Sequence, residues 1–284
     1  MAKIVTIIVS ILLIILLLVF ASSFIANRAF TKSVKAEVAL LWNSVEKKNP
    51  IIQAEDLAGL PTPVQRWLEI SRVVGKERIY TVRMKQQALM RLEEGKPWMP
   101  AKAEQYFTVE KPGFIWKAYV QMSPLLHFTG KDKYYQGKGS MQIKALSLIP
   151  VVDAHGPEID QGTLLRYLGE MIWFPTAALS DYLSWEEVDA HSAKVIMNYG
   201  GVSASGIYQF NEQGDISSFK AQRYMEKNGQ YSLEDWGAVV TSYKEFNGIR
   251  IANKGQVIWY LNSGAFTWYQ YEILQVDYNN PLVY

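Results

Sequence analysis

Hydrophobic and polar positions change their spacing repeatedly along this 284-residue chain, and each change marks an element. From Ile4 to Ala26 there is no charged residue. An apolar run of about 20 residues crosses a hydrocarbon core of about 30 Å as a helix, so a membrane anchor is expected over 1–28. Over 30–48, Val34, Val38, Leu41, Trp42 and Val45 recur at three- and four-residue steps. That spacing predicts a helical neck docking on the domain that follows, ended by Pro50. LPTPVQRWLEIS (60–71) reads as a second short helix, opened by its prolines, with Val64, Trp67 and Leu68 on one side.

From Tyr80 the period becomes two. Val82, Met84, Ala88 and Met90 share one face, while Arg83, Lys85 and Gln87 share the other, as in a half-buried antiparallel strand. FIWKAYVQM (114–122) alternates in the same way. Further strands are expected at 103–109, 126–129, 133–136, 140–146, 193–198, 203–210, 216–225, 231–243, 255–261 and 265–278. Turn signals such as Asn228-Gly229 and Asn247-Gly248 fall between them. Helix returns only at 161–183. The expected fold is α+β and mainly β. A large curved antiparallel sheet or half-barrel spans 73–284 with a helical insertion at 160–183, preceded by docking helices over 29–72. In AFTWYQYEIL, Phe266 and Trp268 point one way while Tyr269, Tyr271 and Ile273 point the other. Strands apolar on both faces need two apolar neighbours, met either by a cavity or by a thick two-layer core.

Composition narrows the function classes. A net charge of +2 and the lack of any long Lys/Arg block argue against a nucleic-acid groove. With no cysteine, disulfides, thiolate metal sites and a lipid-modified N-terminal cysteine are excluded. The apolar run exceeds the 7–15 residues of a signal peptide's core and has no Ala-x-Ala site, which favours a retained anchor. Lys3 on one side faces Arg28, Lys32 and Lys35 on the other, a near balance leaning towards a cytoplasmic domain. Single N-terminal anchors with large following domains more often export them, and the domain is expected outside the cytoplasm.

Chemistry concentrates in PVVDAHGPEIDQGTLLRYLGEMIWFPTAAL (150–179). Asp160 is expected to cap the helix that follows. Arg166 and Glu170 are expected to pair at i,i+4 on its polar face, and Gly156-Pro157 to form a turn. Asp153, His155 and Glu158 remain, a spacing that can hold a divalent cation or pair a base with an acid. No second histidine motif supports it, since His127 and His191 stand alone. Ser203 in GVSASG lacks the glycine that a nucleophile elbow requires. Lys131, Lys133 and Lys138 around GKGS are read as a solvated hairpin tip within reach of anionic headgroups. No cofactor is expected.

With these residues laid out, the chain resembles an uncharacterised bacterial family of membrane-anchored proteins. The blocks that carry the resemblance are LPTPVQRWL, GKPWMPAKAEQYFTVEKPGFIWKA, PVVDAHGPEIDQGTLLRYL and EFNGIRIANKGQVIW, within roughly 60–280. The family has no established catalytic residues to carry over. The order of elements is also similar to lipoprotein-carrier (LolA-like) folds, which implies a half-barrel shielding acyl chains under helices. The expected function is therefore a membrane-tethered module binding a hydrophobic small molecule or lipid. Trp116, Trp259 and Trp268 are expected to line the interior, and Leu168, Trp173 and Phe174 to cover it. The alternatives are a hydrolase or metal-dependent enzyme using Asp153, His155, Glu158 and Asp160, and an envelope scaffold without ligand.

Overall fold

The computed structural model describes residues 1–43, 45–46 and 50–284. Thirteen antiparallel strands form one sheet, curled into a half-barrel. In chain order they are β1 (Thr81–Met90), β2 (Met99–Thr108), β3 (Gly113–Ser123), β4 (Leu126–Tyr135), β5 (Lys138–Ala145) and β6 (Ile149–Ala154), then β7 (Leu183–Asp189), β8 (Ser192–Tyr199), β9 (Val202–Phe210), β10 (Ile216–Lys227), β11 (Gln230–Phe246), β12 (Ile249–Leu261) and β13 (Gly264–Tyr278). The spatial order is 6-5-4-3-2-1-13-12-11-10-9-8-7. Two meanders thus meet at the central β1–β13 pair, and β6 and β7 lie at opposite edges.

That topology explains the polar-to-aromatic block. The connection from β6 to β7 must pass from one edge of the sheet to the other. It does so across the concave face, as α3 (Pro157–Glu170) followed by 3₁₀ turns at Met171–Trp173 and Pro175–Leu179. The helix touches β4 and β5 on one flank and β9, β10 and β11 on the other. Leu164, Leu165, Tyr167, Leu168, Met171 and Phe174 are consequently fully buried. The expected helix at 161–183 is shorter, because Pro175 removes a donor and the chain must turn down into the barrel.

Helix α1 (Ala2–Asn43) is one unbroken helix, so no break separates the apolar run from the docking segment expected at 29–72. Positions 44 and 47–49 of that segment lie outside the described residues. The first half of α1 is exposed, and it is the one helix among the described residues long and apolar enough to cross a membrane. The second half lies on the convex face. Phe30, Val34, Val38, Leu41 and Trp42 pack on Tyr106 and Ile115 as a second core. Burying such side chains contributes about 1.5–3 kcal/mol each before ordering costs. Glu37 accepts from Lys131 at 2.6 Å and Lys133 at 3.1 Å. Burial pushes the Glu37 carboxyl up, but the two ammonium groups outweigh it and hold it below its usual value. These lysines, read as a free hairpin tip, are therefore clamps for α1.

Two elements went unforeseen. The strands expected at 126–129 and 133–136 are one, β4. The edge strands β6 and β7 carry too little apolar alternation to announce themselves. Helix α2 (Thr62–Ile70) buries Val64, Trp67 and Leu68 as expected.

Candidate functional site

The concave face is divided into two halves. Near the turns β2–β3 and β11–β12, α3 and its 3₁₀ extension fill the space. Trp173 meets Tyr271 edge-on at 5.3 Å, and Phe174 lies 4.7 Å from Phe107. Leu168, Trp173 and Phe174, expected as a cover, are thus seated in the core.

Beneath α3 a polar chain crosses the sheet. Arg166 donates to Asp132 on β4 and, through Nε, to Glu170 at 2.8 Å. Gln105 on β2 donates to Glu170 at 2.7 Å, Gln86 on β1 donates to Gln105 at 2.7 Å, and the Tyr269 hydroxyl donates to Gln86 at 3.2 Å. Arg166 lies over the rings of Phe114 and Trp116, at 5.0 and 4.9 Å. Burial raises the carboxyl groups of Asp132 and Glu170 above their usual values despite the arginine. Arg223 on β10 sits over Trp236 at 4.9 Å and Trp259 at 5.8 Å. Burial and the repulsion of Arg166 bring its guanidinium down to about 10, and its Nε is buried without a hydrogen-bond partner.

Beyond this chain, towards the turns β1–β2 and β3–β4, the floor is made of small residues. Gln86, Ala103, Ala118 and Gly130 form one row across β1 to β4, and Ala88 and Ala101 pair in the next. Alanine and glycine are poor strand formers, so five of them side by side mark a place where the sheet keeps its floor low. A Cβ on Gly130 would meet the Trp116 ring only at an ordinary 3.6 Å, so packing does not demand glycine there. All five are buried, as is Trp116, whose ring lies over Gly130, while Trp259 and Trp268 are half-buried. A register shift at Val257/Ile258 puts Trp268 out of step with the strand's alternation, and it joins Tyr269 against the main core rather than facing away from it. Of the six expected lining residues, Trp116, Leu168, Trp173 and Phe174 are buried, and Trp259 and Trp268 are half-buried.

The acid–histidine block is dispersed. Asp153 ends on the exposed edge of β6, 3.0 Å from His155, and both face solvent. Asp160 is buried and does not cap α3, whose N-cap is Gly156. Its carboxylate accepts from Lys138 Nζ at 2.9 Å and the Gly139 N–H at 2.7 Å. Among the described residues no group of three or more His, Asp or Glu side chains is placed to hold a metal ion. Ser203 stands exposed as the second residue of β9. The Arg166–Glu170 pair forms as spaced but is largely enclosed, each side chain 15% exposed. Sequence reasoning missed Asp132, Gln105, Gln86 and Arg223. Two open clefts, of about 370 Å³ beside Leu60 and Trp185 and about 470 Å³ between α1 and the sheet, lined by Phe30, Lys102, Gln86, Ala103 and Ala118 among others, do not touch Trp116, Trp259 or Trp268.

The family of unknown function (DUF6544) matches residues 50–271, everything from the end of the neck to β13. The chain belongs to that family. The DUF6544 match leaves α1 outside it. A search of curated proteins finds no match. Among solved structures, a LolA superfamily protein from Nitrosomonas europaea is similar at a TM-score of 0.43 and 6% identity, covering 77% of this chain and 93% of that one. A DUF1329 family protein from Desulfovibrio piger is similar at 0.40 and 9% identity, covering 78% and 93%. Values this low leave function to be argued from this chain's own residues.

Proposed function

We propose that this protein is a membrane-tethered binding module for a hydrophobic ligand, a lipid or acyl chain. The ligand is taken into a trough between the small-residue floor and a rim of Trp116, Trp259 and Trp268. The observation that carries the reading is the floor itself: Ala88, Ala101, Ala103, Ala118 and Gly130 side by side on the concave face. The apolar half of α1 supports tethering, and the size of the domain after a single N-terminal span supports its lying outside the cytoplasm.

The test is a titration of the full chain, in lipid nanodiscs, with a long-chain fatty acid while tryptophan fluorescence is followed. Wild type should respond saturably, and Ala118→Phe, which fills the trough away from α3, should not. Identical, unsaturable responses in both would leave the scaffold reading, which the solid packing around Leu168, Trp173 and Phe174 favours. A reporter active only in the cytoplasm, fused after Tyr284, should be silent if the domain is exported.

A further inference from the structure

We infer that one end of the half-barrel, the end carrying the turns β1–β2, β3–β4 and β5–β6, sits in the interfacial layer of the bilayer that holds α1. The inference rests on the anchor reading of α1 and not on ligand binding.

Height is set by the chain. Because α1 is continuous, the docked half and the apolar half share one axis. Ser23, in the last turn of the uncharged run, donates to the carbonyl of Leu146 in the β5–β6 turn at 2.7 Å. At 1.5 Å per residue the run Ile4–Ala26 is about 34 Å long, against a hydrocarbon core of about 30 Å. Leu146 is therefore held at the edge of that core. From there α1 crosses the convex face to the opposite end of the strands, where the Leu41 side chain meets Gly113, and Trp42 donates to Phe107 at 3.4 Å. Strands β2, β3 and β4, on which α1 lies, accordingly stand along it, with one end towards the bilayer and the other away from it.

The two ends differ in composition as this placement requires. The near turns and the strand ends beside them expose Leu92 (70%), Met122, Leu125 (60%), Leu148, Ile149 (59%) and Val151. The far turns β2–β3, β4–β5, β9–β10 and β11–β12 expose no large hydrophobic side chain among the described residues, and two exposed ones at that end, Val188 beside the β7–β8 turn and Leu282 near the C-terminus, stand apart from one another rather than on adjacent turns. In water, so many apolar groups at one end cost free energy, whereas at the acyl–headgroup boundary they contribute it. At the same end Arg91 stacks on Trp98 at 4.6 Å, a cation–indole pair suited to the headgroup layer. The occupant is thus the anchor's own bilayer, the one apolar partner whose height α1 fixes. The near end is also where the Ala88–Ala101 side of the trough opens, so a lipid passes between bilayer and trough without crossing water.

The chain has no cysteine, so single cysteines can be placed and labelled cleanly. Leu125→Cys and Ile149→Cys report the near end, Glu212→Cys the far end, and Leu12→Cys the span. Each full-length variant is labelled with a polarity-sensitive nitrobenzoxadiazole dye and reconstituted into phosphatidylcholine–phosphatidylglycerol vesicles. Labels at 125 and 149 should be blue-shifted, several-fold less quenched by aqueous iodide than the label at 212, and quenched by shallow spin-labelled lipid. Near-end labels as open to iodide as position 212, with Leu12→Cys embedded, overturn the inference and leave the anchor standing. Shielding that disappears when the protein is diluted in lipid overturns it in favour of a contact between copies. A water-exposed label at position 12 removes the anchor and the inference together, and leaves ligand binding to its own titration.

Discussion

The carboxylate of Asp160, in the first turn of α3, accepts the backbone N–H of Gly139 on β5 at 2.7 Å. One charged group thereby ties the crossover helix to the flank of the sheet. A Cβ on Gly139 would lie 2.2 Å from Thr163 Oγ1, so helix and strand touch at this point. Asp160→Ala leaves a buried N–H unpaired, and a loss of about 2 kcal/mol is expected. Asp160→Asn keeps an acceptor for Gly139 and should lose less. Urea unfolding of the full chain in detergent checks the order; equal losses for both would mean that the ion pair with Lys138, not the Gly139 bond, dominates.

Helix capping predicts a stability loss at the same residue for a different reason, and the contrast shows what sequence carries. Spacing alone announced β1, because Val82, Met84, Ala88 and Met90 alternate cleanly, and it announced the docking face of α1 at Val34, Val38, Leu41 and Trp42. It did not announce that α3 would be enclosed, since that follows from strand order: only the β6–β7 connection must cross the concave face. Enclosure turns a surface-type Arg166–Glu170 pair into a largely enclosed one and makes Asp160 a tie instead of a cap. A signal for the polar chain was nevertheless present. Gln86 falls between Met84 and Ala88 on the apolar parity of β1, Gln105 between Ala103 and Phe107, and Asp132 between Gly130 and Tyr134. Polar residues on a core parity belong to the interior, where they must find partners.

The two buried arginines should respond oppositely to loss of charge. Arg166→Met strands Asp132 and Glu170 without their counter-ion, and a cost of about 3–5 kcal/mol is expected. Arg223 forms no ion-pair contact with a carboxylate among the described residues, feels Asp132 and Glu170 only at longer range, and burial already lowers its proton affinity. Arg223→Met should be neutral or stabilising in the same unfolding measurement. A large loss from Arg223→Met would show that it neutralises Asp132 and Glu170 as strongly as Arg166 does.

Glu170 gives a pH dependence of definite sign. Burial raises its folded proton affinity above the unfolded value of 4.5, so between those values the folded state binds more protons. Stability contributed by this group therefore rises as pH falls through its folded pKa towards 4.5, and is flat below. Glu170→Gln lacks the term. Its stability advantage over wild type, or its smaller deficit, should be greatest at neutral pH and shift in favour of wild type as pH drops towards 4.5. Thermal melts of both proteins across pH 8 to 4.5 measure the difference, and a gap that is constant or moves the other way contradicts the assignment. The comparison also cancels Glu37, whose depressed value places its own loss of stability below 4.5.

The curl of the sheet closes where Gly137, in the β4–β5 turn, meets Gly200, in the β8–β9 turn. Both have positive φ, +80° and +62°. A Cβ on Gly200 would lie 2.4 Å from the Gly137 Cα, and one on Gly137 would lie 2.6 Å from the Gly200 carbonyl oxygen. These are backbone atoms, so no rotamer change relieves the overlap; one turn has to move. Gly201 supplies an internal control, since its φ of +79° is similar but a Cβ there meets nothing within 4 Å. Gly201→Ala should cost about 1 kcal/mol, the usual penalty for a side chain in the left-handed region. Gly200→Ala carries that penalty plus separation of the two turns that enclose α3. Its loss should be clearly larger, and it should bring faster proteolysis between β6 and β7. Equal losses for the two alanine variants would mean that the turns do not need to touch for α3 to stay enclosed.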